Sequence, residues 1–103
     1  MNTQQIKRAK RLAEIMGMNH VEVGGNVLVS FGFNCDKPFN PEQDKALLWD
    51  LMIKYRLSVD HAVDSYYDIG VAHTVYCKFT VDADDIPAAL IDCVIEINGG
   101  YDE

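Results

Sequence analysis

Apolar residues recur along this chain with two different periods, and the switches between them mark out its elements. Ile6, Ala9, Leu12, Ala13 and Met16 lie at helical spacing, which predicts a first helix from Thr3 to about Met16, closed by Gly17. Thr3 is its expected cap. In HVEVGGNVLVSFGF the period drops to two. Val21 to Val23 and Val27 to Phe33 read as a hairpin around Gly24-Gly25-Asn26, with Val27, Val29, Phe31 and Phe33 on one face.

The middle of the chain, FNPEQDKALLWDLMIKYRL, returns to helical spacing. Asn40 is the expected cap, with Pro41 at the first helical position and Gln43 at the third. Leu47, Leu48, Leu51, Met52 and Tyr55 form its apolar stripe, and Trp49 and Ile53 widen it. So broad a stripe predicts the most buried helix of the molecule, with Trp49 packed in or at the edge of the core.

A second hairpin follows. Val71, His73, Val75, Cys77, Phe79 and Val81 alternate onto one face of a strand from Val71 to Val81, after a turn at Asp68-Ile69-Gly70. The arm before that turn, Leu57 to Tyr67, has two readings, because Asp60, Asp64 and Asp68 also stand at helical spacing; strand is the reading taken. The last helix is the clearest. Asp84 or Asp85 caps it and Pro87 lies in its first turn. Ile86, Ala89, Leu90, Cys93, Val94 and Ile97 make its stripe, and Asn98-Gly99-Gly100 ends it. The expected fold is therefore α+β, one domain over residues 1–103. An antiparallel sheet of about four strands is covered by three helices in the order α-β-β-α-β-β-α.

Composition narrows the function. At 103 residues, 49% hydrophobic and 24% charged, the chain is long enough for a core of its own. No apolar run is long enough to span a bilayer, and no signal peptide is read. Residues 1–56 carry eight Lys/Arg and six Asp/Glu, whereas residues 57–103 carry one Lys and ten Asp/Glu. A half with a net charge of −9 repels duplex nucleic acid, so a protein is the expected partner; the oligomeric state is left open, a homodimer included. KRAKR, residues 7 to 11, reads as the solvated face of the first helix. A phosphate contact through those cations is the competing reading.

Few residues fall into patterns that carry chemistry. Cys35, Cys77 and Cys93 lack C-x-x-C spacing and suit reduced thiols, with Cys77 and Cys93 read as small core residues. His20, His61 and His73 are scattered, no nucleophile motif surrounds any Ser or Cys, and no zinc spacing is complete. Neither catalytic residues nor a metal or cofactor are expected. The remaining candidate is Asp60, His61, Asp64, Tyr66, Tyr67 and Asp68, where carboxylates interleaved with tyrosines suit a protein interface.

The succession of RLAEIMGM, a hairpin, FNPEQDKALLWDLMIKY, a strand region and DADDIPAALIDCVIEINGG resembles the phage α-β-α sandwich domain family. The matching positions are Ala13, Met16, Gly17, Asn40, Pro41, Asp44, Pro87 and Ala89. The resemblance implies a small phage or prophage protein of the bacterial host cytoplasm, and it brings no catalytic residues with it. The expected function is a non-enzymatic accessory protein that binds a host or phage protein through an acidic surface. A nucleic-acid accessory factor using the basic helix is the alternative.

Overall fold

The computed structural model describes residues 1–71 and 79–101. Among these, helix α1 (Thr3–Ile15) is followed by strands β1 (Asn19–Val23), β2 (Asn26–Ser30) and β3 (Lys37–Pro38). Helix α2 (Lys45–Tyr55) precedes β4 (Leu57–His61), β5 (Tyr66–Val71) and β6 (Phe79–Asp82), and α3 (Ile86–Ile97) comes last. The α+β class and the alternation of helices with strand groups are as expected. The sheet is not. The six strands among the described residues form two separate antiparallel sheets, β1-β2-β3 and β4-β5-β6, in place of one sheet of about four.

The helices separate the sheets. Ala9 and Ala13 of α1 pack with Val27 and Val29 of β2, small residues that let the helix approach the strand closely. Leu12, at the adjoining edge of the same apolar stripe of α1, joins a second core with Leu48, Leu51, Leu57, Ile69 and the buried face of α3. α3 contacts α1 and α2 on one side and β5 and β6 on the other. The layers run first sheet, α1, α3, second sheet, with α2 beside α3, in a molecule 44 × 28 × 22 Å.

α3, not α2, is the most buried helix. Its stripe residues Ala89, Leu90, Cys93 and Val94 are buried as expected, and Ile91 and Ile95 are fully buried as well. A helix apolar nearly all round belongs between layers. α2 lies at the side, and its Trp49 and Ile53 are 63% and 62% exposed. The expectation that they pack in the core fails for that reason.

Element starts also moved. Asn2 caps α1, not Thr3: its Oδ1 accepts from Gln5 N at 2.9 Å while Gln5 Oε1 accepts from Asn2 N at 2.8 Å. Pro41–Gln43 form a separate 3-10 turn, and Asn40 makes no side-chain capping bond there. Asp44 caps α2, accepting from Leu47 N at 3.1 Å.

The first hairpin turns at Gly24 and Gly25, both at positive φ (59° and 80°), the backbone a two-residue hairpin turn requires. β2 stops at Ser30, where Ser30 Oγ accepts from Gly32 N at 2.8 Å and Asn19 Nδ2 donates to Gly32 O at 2.7 Å. That bend breaks the period of two, so Phe31 and Phe33 are exposed instead of joining Val27 and Val29. The strand reading of the arm from Leu57 to Tyr67 holds over Leu57–His61, and Tyr66 and Tyr67 already belong to β5. The turn lies at residues 62–65, however, and Asp68-Ile69-Gly70 is inside β5. β5 and β6 run antiparallel, with Ile69 opposite Phe79, so Val71 and Val81 fall in two different strands and not in the single strand expected from Val71 to Val81. His73, Val75 and Cys77 lie outside the described residues.

Candidate functional site

The structure gathers the six sequence-derived candidates on the β4-β5 hairpin and then divides them. Asp60 pairs with Asp68 and His61 with Tyr67. Opposite residues share a face and alternate along the strand. Leu57, Val59, Ile69 and Val71 pack against the core helices, and His61 and Tyr67 end that face. Asp60, Tyr66 and Asp68 occupy the other face, joined from β6 by Thr80 and Asp82. Asp64 sits in the turn at φ 53°.

Each face has its own contacts. His61 Nε2 donates to Asp64 O at 2.6 Å, and the His61 ring meets Tyr67 edge-on, with centroids 5.5 Å apart. His61 therefore rigidifies the tip of the hairpin. On the outward face Thr80 Oγ1 donates to Asp68 Oδ1 at 2.7 Å. Asp60 directly opposite Asp68 is a like-charge pair, an arrangement that costs stability in a sheet. Tyr66 is exposed beside these carboxylates. The outward face can attract a cation-bearing surface and offers a tyrosine for apolar contact. Among the described residues no group of three or more His, Cys, Asp or Glu is placed to hold a metal ion.

KRAKR is not simply a solvated face. Arg8 Nε donates to Asp92 Oδ1 at 3.0 Å, and Arg8 NH1 lies 3.5 Å from Glu42 Oε2. Arg11 Nε and Nη2 donate to the carbonyls of Gly100 (2.8 Å) and Asn98 (3.0 Å), just past the C-terminus of α3, where a cation also suits the negative end of the helix dipole. Lys7 Nζ stands 4.7 Å above the Tyr101 ring, and Lys10 pairs with Glu22 at 3.4 Å. The two arginines stitch α1 to α3, and the two lysines keep the more solvated positions.

This knot shifts two ionisations. Burial works against the Arg8 charge, but the hydrogen bond to Asp92 and the charges of Asp92 and Glu42 outweigh it and raise its pKa. The Tyr101 phenol donates to Asp92 Oδ1 at 2.7 Å. Burial, then that hydrogen bond, then the Asp92 charge push its pKa well above the usual tyrosine range, with Arg8 opposing in part.

A second surface escaped the sequence reading. A groove of about 530 Å³ lies between the end of the first sheet and α2. Met16, Met18, Val29, Phe39 and Leu47 contribute its apolar lining, and Asp36, Asp44 and Asp50 its carboxylates. Phe31 and Ala46 also line it. Asn40 lines it too, and Asn40 Oδ1 is buried without a hydrogen-bond partner among the described residues. Trp49 and Ile53 do not line the groove; four residues apart and off the Leu48–Leu51 side, they mark the exposed side of α2 that carries the lining residue Ala46, which the breadth of the apolar pattern concealed.

Among the described residues no helix is long and apolar enough to cross a membrane. No family model matches this chain, and neither the curated proteins nor the solved structures yield a relative.

Proposed function

We propose that this chain is a small phage or prophage accessory protein of the bacterial cytoplasm that acts without catalysis. In this reading it binds a basic host or phage protein through the outward face of its second sheet. One observation carries the reading: Asp60, Tyr66, Asp68 and Asp82 share a sheet face that no described helix covers. Fixed carboxylates on a rigid sheet steer a basic partner and select its orientation, and an exposed tyrosine supplies contact area at small entropic cost. The sequence resemblance drawn from Ala13, Met16, Gly17, Asn40, Pro41, Asp44, Pro87 and Ala89 supports the phage setting. The nucleic-acid reading loses ground, because Arg8 and Arg11 are engaged within the fold.

The test is affinity capture from bacterial lysate, comparing wild type with an Asp60→Asn/Asp68→Asn/Asp82→Asn variant. A partner retained by wild type, released by rising salt and missed by the variant is the expected result. Equal retention by both proteins overturns the outward face as the binding surface.

A further inference from the structure

The groove beside α2 shares no lining residue with the second sheet, so what it binds is a separate question from the acidic face. Its apolar lining includes two methionines, side chains that adapt to varied apolar partners. Trp49 and Ile53 do not line the groove, but helical spacing sets them on the side of α2 that the lining residue Ala46 occupies. Ala46, Trp49 and Ile53 follow one another along the exposed side of α2, and Phe31, 77% exposed, lines the groove as well. A small molecule filling the groove would leave Trp49 and Ile53 bare; an elongated segment lying along α2 covers them.

Charge specifies that segment further. The groove carries Asp36, Asp44 and Asp50 against Lys37, an acidic excess around an apolar lining. Asn40 adds a polar requirement. Its side-chain oxygen has no hydrogen-bond partner among the described residues, and rotation of the amide presents that oxygen to a donor in the groove. We propose that this groove is a docking site for an amphipathic helix of a protein partner. Its apolar face seats on Met16, Met18, Leu47 and Trp49, its Lys or Arg residues face Asp36 and Asp50, and a donor from it satisfies Asn40.

The experiment uses the full chain and a short fluorescein-labelled peptide with leucines at helical spacing on one face and lysines on the other. A scrambled peptide of the same composition is the control, and anisotropy is the readout. The ordered peptide binds about tenfold or more tightly than the scramble, and Phe31→Ser/Trp49→Ser removes that preference. Asp36→Asn/Asp50→Asn weakens binding and flattens its salt dependence. Asn40→Ala weakens binding while its melting temperature stays equal to wild type or rises, which separates a docking role from a structural one. Equal affinity for the two peptides overturns the proposal. So does undiminished binding by the Phe31/Trp49 variant, or a dimer in sedimentation that the same variant dissolves, since the occupant is then a second copy. Loss of peptide binding in Asp60→Asn/Asp68→Asn/Asp82→Asn alone assigns the peptide to the acidic sheet face and also overturns it.

Discussion

Arg8 Nε donates to Asp92 Oδ1 at 3.0 Å, joining α1 to α3 across 84 positions of sequence. The two side chains are 19% and 23% exposed, and Tyr101 donates to the same Asp92 oxygen. A charge pair so shielded, with a phenol donating to the same carboxylate, is a fastening between layers and not a surface decoration.

A double-mutant cycle on Arg8→Ala and Asp92→Ala measures that fastening. The coupling from urea unfolding is expected at about 1–2 kcal/mol, within the range for contacting residues. A coupling below about 0.3 kcal/mol would place the pair among inert surface contacts.

Alkaline pH tests Tyr101. Burial and its bond to Asp92 hold its folded pKa above the unfolded value of about 10. The unfolded chain therefore loses this proton first. The stabilisation is complete below about pH 10 and fades as pH rises through the folded pKa. Wild type is expected to be more stable than Tyr101→Phe near neutrality, and the two denaturation curves to converge in strong alkali. A gap that stays constant or widens with pH contradicts the assignment.

The layer order predicts a contrast between two large apolar residues. Ile91 is fully buried and Trp49 is 63% exposed. Ile91→Ala is expected to cost about 2–5 kcal/mol, as deleted core side chains do. Trp49→Ala is expected to stay within about 0.5 kcal/mol of wild type, as surface changes do. Urea melts followed by circular dichroism serve both, since Trp49 is the only tryptophan.

The cations of α1 should separate by type. Lys7→Gln/Lys10→Gln is expected to leave stability within about 0.5 kcal/mol of wild type. Arg8→Gln/Arg11→Gln is expected to lose about 1–3 kcal/mol, because hydrogen bonds to Asp92 and to the end of α3 disappear. Neither pair is expected to change duplex DNA binding at physiological salt, which should be negligible in all proteins. Tight wild-type binding lost with the lysines would revive the nucleic-acid alternative.

Local chemistry was legible in the sequence. The helical stripe of Ile86 to Ile97, the alternation of Val27 and Val29 and the Gly24-Gly25 turn each depend on neighbours within a few residues, and each is found in the structure. Asn2, Gln5 and Asp44 carried their capping signals too, but Thr3 and Asn40 offered equally good local chemistry nearby. The hairpin tip holding Asp60, His61, Asp64, Tyr66, Tyr67 and Asp68 was legible as a cluster. Its division between two faces waited on the register, because sliding a strand by one residue exchanges every side chain between faces.

Tertiary structure alone decided what depends on distance. Period and propensity describe one element at a time, so Trp49 and Leu48 looked alike until α2 was placed at the side of the molecule and α3 at its centre. Four hydrophobic strand segments say nothing about whether they share a sheet; only packing showed that one stripe of α1 serves two cores, Ala9 and Ala13 against the first sheet and Leu12 in the core shared with α3. KRAKR shows the same limit from the charged side. Its spacing made Lys7, Arg8, Lys10 and Arg11 equivalent, and only the approach of Asp92, Asn98 and Gly100, at the far end of the chain, set the arginines apart from the lysines.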